Sequence, residues 1–241
     1  MGFDVDPERD EIVRVLLEAK ADVNSVNSRK ETAMHGAAGN GYYTIVKLLI
    51  QAKGDVNARN RNSSTPCTRA AESDHVDVLK ALIAAKADVD VACGNGWNPI
   101  MAAGFSGHLN VIQCLIDCKA DLEHPQNGGV TSTAMAAQKG HHEALHVLLQ
   151  AKTDPNAAKT SGATGLFMAA QLGKPDNVAL LIQFKADFRP ATNRGVTPLY
   201  IACERGRTEV VKVLLKVKAD VNRVCGRFGT PRNGAQKHGY H

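Results

Sequence analysis

The chain has 241 residues, a formal net charge of +5 at pH 7, and 44% hydrophobic and 22% charged residues. This composition is that of an ordinary folded protein and excludes the disordered and fibrous classes. The longest apolar runs, such as residues 210–215, are too short to cross a bilayer, so we expect no membrane span. The N-terminus lacks the layout of a signal peptide, and the six scattered cysteines indicate reduced thiols. We therefore expect an intracellular protein, cytoplasmic or nuclear.

A short phrase, Ala-Asp-Val-Asn or a near variant, recurs seven times at a constant interval of 33 residues. No insertion or deletion breaks this series. A fixed period of this size indicates one supersecondary unit that is copied and stacked, so that each copy contacts mainly its neighbours. The phrases begin at Ala21, Gly54, Ala87, Ala120, Thr153, Ala186 and Ala219.

Each complete copy begins with a predicted short helix. Its N-cap position holds Thr or Asn in every copy, as at Thr32, and the oxygen of such a side chain can bind a free backbone N–H group. Proline follows in several copies, as at Pro66, where its missing N–H costs nothing. Small residues such as Ala37 and Ala38 let neighbouring helices approach, and a glycine such as Gly41 then ends the helix.

A second, amphipathic helix is predicted after this glycine. One column is leucine in all seven copies, the next is always aliphatic, and further apolar residues lie three and four positions earlier. This spacing is typical of a helix with one buried stripe. A polar stretch with turn residues, such as 57–64, leads to the next copy. The invariant leucines are Leu16, Leu49, Leu82, Leu115, Leu148, Leu181 and Leu214.

This unit of helix, turn, helix and protruding loop resembles the ankyrin repeat. Residues 197–202, Thr-Pro-Leu-Tyr-Ile-Ala, match the start of that motif, and Leu16–Asn24 match its end. The resemblance implies an all-α ankyrin-repeat solenoid of stacked helix-turn-helix units with protruding β-turn loops. We expect a single domain over 1–241, in which partial copies 1–26 and 225–241 flank complete copies at 27–59, 60–92, 93–125, 126–158, 159–191 and 192–224.

The two partial copies bear on the extent of the array. The last one holds only a degenerate first helix, predicted over residues 230–238. Repeat arrays need polar caps that hide their apolar end faces, and neither end here has a clear one. We interpret the chain as a monomeric segment of a longer array, with divergent capping repeats as the alternative.

One catalytic motif occurs, at His142-Glu143-Ala144-Leu145-His146. In zinc hydrolases this H-E-x-x-H pattern places two metal-binding histidines one helical turn apart, with a glutamate that activates water. The repeat register opposes this interpretation. His146 aligns with Arg14 and Lys47 at a solvated position, and no third ligand is evident. We therefore expect no catalytic residue, no metal and no cofactor, and the zinc hydrolase is a remote alternative.

A lysine occupies one column in all seven copies, where ankyrin repeats usually carry glycine. Stacked lysines would form a basic ladder that contacts nucleic acid or acidic membrane lipids. An aspartate two residues later in each copy opposes that field, so we expect no nucleic-acid partner and keep the ladder as the alternative. The lysines are Lys20, Lys53, Lys86, Lys119, Lys152, Lys185 and Lys218.

The resemblance implies a non-catalytic scaffold that binds a partner protein in a concave groove lined by loop tips and first helices. The only tryptophan, Trp97, and the aromatic Phe105 occupy columns whose polarity varies between copies, so we interpret both as groove residues rather than packing residues. Interface hot spots are enriched in aromatic residues and arginine. The predicted contact residues are Trp97, Phe105, Met101, Arg61, Asn62, Val130 and Lys139.

The asparagines of the recurring phrase allow two interpretations. Asn24, Asn57 and Asn222 each follow a leucine by eight residues. By the family resemblance, this spacing is similar to that of substrates of asparaginyl hydroxylases. The alternative, which we prefer, is that these asparagines brace the loop turn.

Overall fold

The structure is a computed structural model, and it describes residues 7–236. Within this range it is helical, and its only β pairing is an isolated bridge between Ala158 and Thr164. Short first helices alternate with longer second helices in the predicted order. They are α1 (Pro7–Glu18), α2 (Ala33–Gly39), α3 (Tyr43–Gln51), α4 (Pro66–Glu72), α5 (Val76–Ala84), α6 (Pro99–Ser106), α7 (Leu109–Asp117), α8 (Ser132–Lys139), α9 (His142–Gln150), α10 (Gly165–Leu172), α11 (Pro175–Gln183), α12 (Pro198–Glu204), α13 (Thr208–Lys216) and α14 (Pro231–Gln236).

The chain forms two compact units. The first comprises Met1–Ala103 and His108–His124, and the second comprises Gly104–Gly107 and Pro125–His241. In the first unit α5 packs against α3 and α7, and in the second α10 packs against α8 and α12. Like helices of successive copies therefore stack on one another within each unit, as the period predicts. No helix among residues 7–236 is long and apolar enough to cross a bilayer.

Threonine caps the first helices as predicted. The Thr65 hydroxyl accepts a hydrogen bond from the Thr68 N–H at 3.3 Å, and the same bond occurs at Thr131, Thr164 and Thr197. The predicted helix at 230–238 is observed as α14, and its last two predicted residues lie outside the described range. The threonine cap thus marks the start of these four first helices.

The leucine column forms the core of the second helices. From Leu49 to Leu214 its members are at most 3% exposed. Leu16 in α1 is the exception, at 52% exposed, and the main packing partner of α1 is α3. The same residue type is therefore buried or exposed according to its neighbours.

Each second helix ends in a Schellman motif that has lysine where glycine is usual. In α3 the Lys53 N–H bonds to the Ile50 carbonyl at 3.0 Å, and the Gly54 N–H bonds to the Leu49 carbonyl at 2.8 Å. All seven lysines of this column have φ between 60° and 68°. This left-handed conformation is strained for residues other than glycine. Lysine therefore carries a mild conformational cost at this position in every copy.

We expect Lys119→Gly to raise the free energy of unfolding by roughly 0.5–1 kcal/mol. Relief of left-handed strain, about 1–2 kcal/mol, outweighs the added backbone entropy of the unfolded chain, about 0.5–1 kcal/mol. Urea denaturation followed by circular dichroism measures the change. Lys80→Gly is the matched control: Lys80 is an exposed lysine inside α5, where glycine should lower stability by about 1 kcal/mol. A loss of stability in Lys119→Gly would contradict the prediction.

Side chains of the recurring phrase connect neighbouring copies. An Asn or Asp Oδ1 atom accepts a hydrogen bond from the backbone N–H of an aspartate in the next copy, at 2.7–2.8 Å. These bonds support the bracing interpretation for Asn24 and Asn57. The acceptor and donor pairs are Asn24 and Asp55, Asn57 and Asp88, and Asp90 and Asp121 in the first unit, and Asn156 and Asp187 in the second.

Arg189 interrupts this pattern in the second unit, because it stands in the Asn column. Its guanidinium instead binds the Asp187 carboxylate in a bidentate manner, with Nε to Oδ1 at 2.9 Å and Nη2 to Oδ2 at 3.2 Å. This contact lowers the pKa of Asp187. In the following copy, Asn222 donates its N–H to Asp220 at 2.9 Å.

Candidate functional site

The first unit contains a cleft of about 810 Å³ between its loop tips and its first helices. We call it the Trp97 cleft. It brings together three predicted contact residues, Arg61, Asn62 and Trp97. Its other lining residues are Arg29, Glu31, Asn60, Ser64, Arg69, Glu72, Cys93, Gly94 and Asn95.

Asparagine side chains shape the loops that line the cleft. The Asn60 Oδ1 atom accepts hydrogen bonds from the N–H groups of Asn62 and Ser64, at 2.9 and 3.0 Å. Backbone bonds then join successive tips, from the Arg61 N–H to the Arg29 carbonyl and from the Gly94 N–H to the Asn62 carbonyl, both 2.9 Å. The side chains of Arg29 and Arg61 therefore extend from a hydrogen-bonded row of tips.

Trp97 lies at the end of the third loop of this row and is half-buried. Its N–H donates to the Asn95 Oδ1 atom at 3.1 Å, and its carbonyl accepts from the Cys93 N–H at 2.6 Å. The indole thus lines the cleft, and these two hydrogen bonds fix the turn to which it is attached. Tryptophan offers a large contact area with a polar N–H edge, which suits a binding surface.

The cleft has three arginines and two glutamates, and the two glutamates already have partners. The Arg69 Nη1 atom lies 3.2 Å from the Glu72 Oε2 atom, in an ion pair that is partly exposed to solvent. The Asn27 amide donates to Glu31 at 3.2 Å and, helped by Arg69 and Arg29, lowers the pKa of that carboxyl. Glu31 is therefore ionised at neutral pH. Both glutamates are held inside the cleft by these partners.

A buried histidine, His35, is hydrogen-bonded to Ser64, which lines the cleft. His35 is 1% exposed, its Nδ1 atom accepts the Thr32 N–H at 3.2 Å, and its Nε2–H donates to the Ser64 carbonyl at 3.0 Å. The ring is neutral in this arrangement because Nδ1 acts as an acceptor. Burial is the main cause that lowers the pKa of His35. These hydrogen bonds give the histidine a structural role.

We expect stability to fall as pH decreases below about 6.5, the usual pKa of an unfolded histidine. Because the folded pKa of His35 is lowered, the unfolded chain binds the proton more readily below that pH, and protonation favours unfolding. The control is His35→Gln, which keeps a capping box with Thr32 and cannot titrate. Urea midpoints of both proteins across this range measure the effect. Equal slopes for wild type and variant would contradict the prediction.

The second unit contains two other predicted contact residues, Phe105 and Lys139. The Lys139 Nζ atom lies 3.9 Å from the centre of the half-buried Phe105 ring, which is a cation–π contact. The Phe105 carbonyl accepts a hydrogen bond from His141 Nε2 at 3.0 Å. His108 makes the equivalent bond to the Glu72 carbonyl in the first unit, at 3.2 Å. These two histidines therefore have a structural role.

Two predicted contact residues are corrected by the structure. Met101 is 0% exposed and Val130 is 7% exposed, so neither presents a side chain to a partner. Met101 occupies the column of the buried His35, on the inner side of the first helix. Val130 shares the column of Trp97, where Ala163 is also buried. Variation in polarity within a column therefore did not indicate exposure there.

Arg69 is a cleft residue that the sequence analysis missed. Its column otherwise holds glycine or apolar residues, from Gly36 to Ile201. A Cβ atom added to Gly39 would lie 3.3 Å from the Arg69 Nε atom, so this glycine makes room for the guanidinium. A charged residue in an otherwise small or apolar column was the signal that could have revealed it.

The two histidines of the H-E-x-x-H pattern have other partners in the second unit. His142 Nδ1 lies 3.2 Å from the Asn177 Oδ1 atom, and the His146 ring packs edge-on against Phe184 with centres 5.7 Å apart. The Asn177 amide also donates to the Ala136 carbonyl at 3.3 Å. Within residues 7–236, no group of three or more His, Cys, Asp or Glu residues is arranged to hold a metal ion.

The seven lysines of the left-handed column are all exposed. The aspartate that follows two residues after each lysine is also exposed in six copies and half-buried in the seventh, at Asp187. Positive and negative side chains therefore alternate along this surface, as expected from the sequence. Such mixing weakens the field that a nucleic acid or an acidic membrane would meet.

Comparison with known proteins identifies the repeat. The profile of the family described as "Ankyrin repeats (3 copies)" matches residues 6–93, 85–159 and 133–225. The fold is similar to the human ASB11 ankyrin repeat domain, with a TM-score of 0.78 and 23% sequence identity over 85% of this chain and 92% of that chain. No curated protein sequence matches the chain. The family resemblance and the predicted all-α fold class are thus confirmed.

Proposed function

Because the chain belongs to the ankyrin-repeat family, whose repeats generally mediate binding between proteins, we propose that it is a non-catalytic scaffold that binds a partner through the Trp97 cleft. Ankyrin-repeat folds are typically binding scaffolds without enzymatic activity. The proposal agrees with the contacts of the H-E-x-x-H histidines, because His142 contacts Asn177 and His146 packs against Phe184.

The observation that carries this proposal is the placement of Trp97 beside exposed polar groups in one cleft. Arg61 and Asn62 are exposed at the loop tips, and the half-buried indole lies on the neighbouring loop. A central aromatic residue surrounded by polar residues is the usual arrangement of an interface hot spot. Phe105 with Lys139 is a second contact point, in the second unit.

We expect Trp97→Ala to weaken partner binding by about 2 kcal/mol or more, which is roughly 30-fold. The large apolar contact area of the indole is lost, whereas the exposed part of the loop stays. Short random peptides selected by display on the immobilised wild-type protein provide the partner. The anisotropy of the labelled peptides then measures affinity for wild type and variant.

The control is Tyr43→Ala on the second helix α3. Tyr43 is also a half-buried aromatic with a lysine nearby, since the Lys47 Nζ atom lies 5.5 Å from its ring centre, but it lies outside the cleft. It should leave peptide affinity unchanged. Since Trp97 is the only tryptophan, its emission should also shift when a peptide enters the cleft. Peptides that bind Trp97→Ala as tightly as wild type, with no shift in emission, would refute the proposed site.

A further inference from the structure

The Trp97 cleft contains more arginines than glutamates, and both glutamates have partners. Glu72 pairs with Arg69, and Glu31 is held by the Asn27 amide. The guanidinium groups of Arg29 and Arg61 are exposed, and neither makes a side-chain hydrogen bond or an ion pair with the described residues. The cleft therefore has a net positive charge, located at its loop tips.

A polar group at the base of the cleft also lacks a partner. Ser64 is 7% exposed, and its Oγ atom forms no hydrogen bond with the described residues. The Nε atom of Arg69, which lines the same cleft, is likewise buried without an acceptor. An unpaired buried polar group is unfavourable, because it has lost water without gaining a partner. The Arg69 Nε–H can only donate and the Ser64 hydroxyl is also able to donate, so an acceptor would suit both groups.

The arginines are specific to one copy and are not part of the repeat. In the column of Arg61 the other copies have Ser28, Gly94 and other small or polar residues. Arg69 likewise replaces glycine or an apolar residue, and Gly39 of the preceding copy leaves space for it. Two arginines in the copy at 60–92 thus depart from the repeat pattern and line the same cleft. Packing does not require either of them.

We propose that the Trp97 cleft binds an acidic segment of a partner protein, with an Asp or Glu carboxylate between Arg61 and Arg69 and an apolar side chain on Trp97. This inference rests on the proposed function and specifies its ligand. A carboxylate supplies the missing acceptor, and a guanidinium binds it through two parallel hydrogen bonds. Its single negative charge matches the excess of three arginines over two glutamates in the cleft.

A phosphorylated segment fits this charge balance less well. A phosphoserine carries about 1.5 to 2 negative charges at neutral pH. Glu31 and Glu72 lie in the same cleft and would repel the additional charge. The carboxylate is therefore the ligand that the observed groups favour.

The test compares arginine variants against peptides selected on the wild-type protein. Arg61→Gln and Arg69→Gln should each weaken binding by at least about tenfold, because each removes one partner of a charge-assisted contact. Arg14→Gln is the matched control, since Arg14 is an exposed arginine on α1 of the same unit that does not line the cleft. Selected peptides should be rich in Asp or Glu beside an apolar residue. Replacing that acid with Asn or Gln should reproduce the loss.

The outcomes separate this inference from the proposed function. Peptides that require Trp97 but contain no acid would overturn the acidic specificity, and so would peptides that bind both arginine variants normally. In either case the Trp97 cleft would remain the proposed binding site. Peptides that do not require Trp97 at all would overturn both. Tighter binding of a peptide with phosphoserine in place of the acid would assign the cleft to phosphorylated segments instead. Should Arg69→Gln unfold by circular dichroism, Arg61→Gln decides, because its exposed side chain has no structural partner.

Discussion

Leu82→Ala should lower the free energy of unfolding by about 3–4 kcal/mol. Leu82 is 0% exposed on α5, which packs against both α3 and α7 in the first unit. Truncation removes buried methyl groups and leaves a cavity that stacked helices on two sides cannot fill. Urea denaturation followed by circular dichroism measures the loss.

Leu16→Ala is the control for this prediction, because Leu16 belongs to the same column and is 52% exposed. Only about half of the side chain is removed from water, so the expected loss of unfolding free energy is about 1 kcal/mol. Comparing the two positions holds residue type and repeat register constant and changes burial alone. Equal losses at both positions would mean that stacking between copies does not bury the leucine stripe.

Gly107→Ala should destabilise the second unit by about 2–5 kcal/mol. The glycine has φ of 78°, which is strained for alanine by about 1–2 kcal/mol. An added Cβ would also lie 2.7 Å from His141, which lies against this glycine and donates to the Phe105 carbonyl. Crowding of this kind typically adds about 1–3 kcal/mol.

A double-mutant cycle with His141→Ala separates these two causes. In that background the crowding is absent, so Gly107→Ala should lower stability only by its conformational strain, about 1–2 kcal/mol. Gly36→Ala offers a further comparison, since its added Cβ would meet no atom within 4 Å and it lies inside α2. It should raise stability by about 1 kcal/mol, the helix propensity difference. A full loss for Gly107→Ala without His141 would rule out the histidine contact as a cause.

The fold was predictable because each copy repeats the same local sequence signals. Threonine caps such as Thr65, the leucine column and the glycine turns depend on residues within a few positions, so one sequence suffices to read them. The sequence also showed lysine at a position where the family usually has glycine, and all seven lysines have the left-handed conformation. Periodicity then determines which elements repeat.

The site was only partly predictable. Arg61, Asn62 and Trp97 could be grouped because successive loops emerge on the same side of each stacked unit. The inner residues of a first helix gave no such guidance, and Met101 in α6 is fully buried. Val130, in the loop before α8, is buried as well. Arg69 was missed because its column otherwise holds glycine or apolar residues, although its side chain lines the cleft. Exposure on a stacked helix depends on the neighbouring copy, which a single column does not describe.

The side-chain bonds between copies also bear on how such a chain changes in length. Where each joint consists of an Asn or Asp acceptor and a backbone donor at equivalent positions, one copy can be duplicated or lost by recombination and the new joint will still form. The copy that carries Arg189 is the exception: its side chain has no acceptor to offer the copy that follows. Copies placed after Arg189 would have to be held by other contacts, such as the bond from Arg223 Nη1 to the Arg189 carbonyl at 2.9 Å.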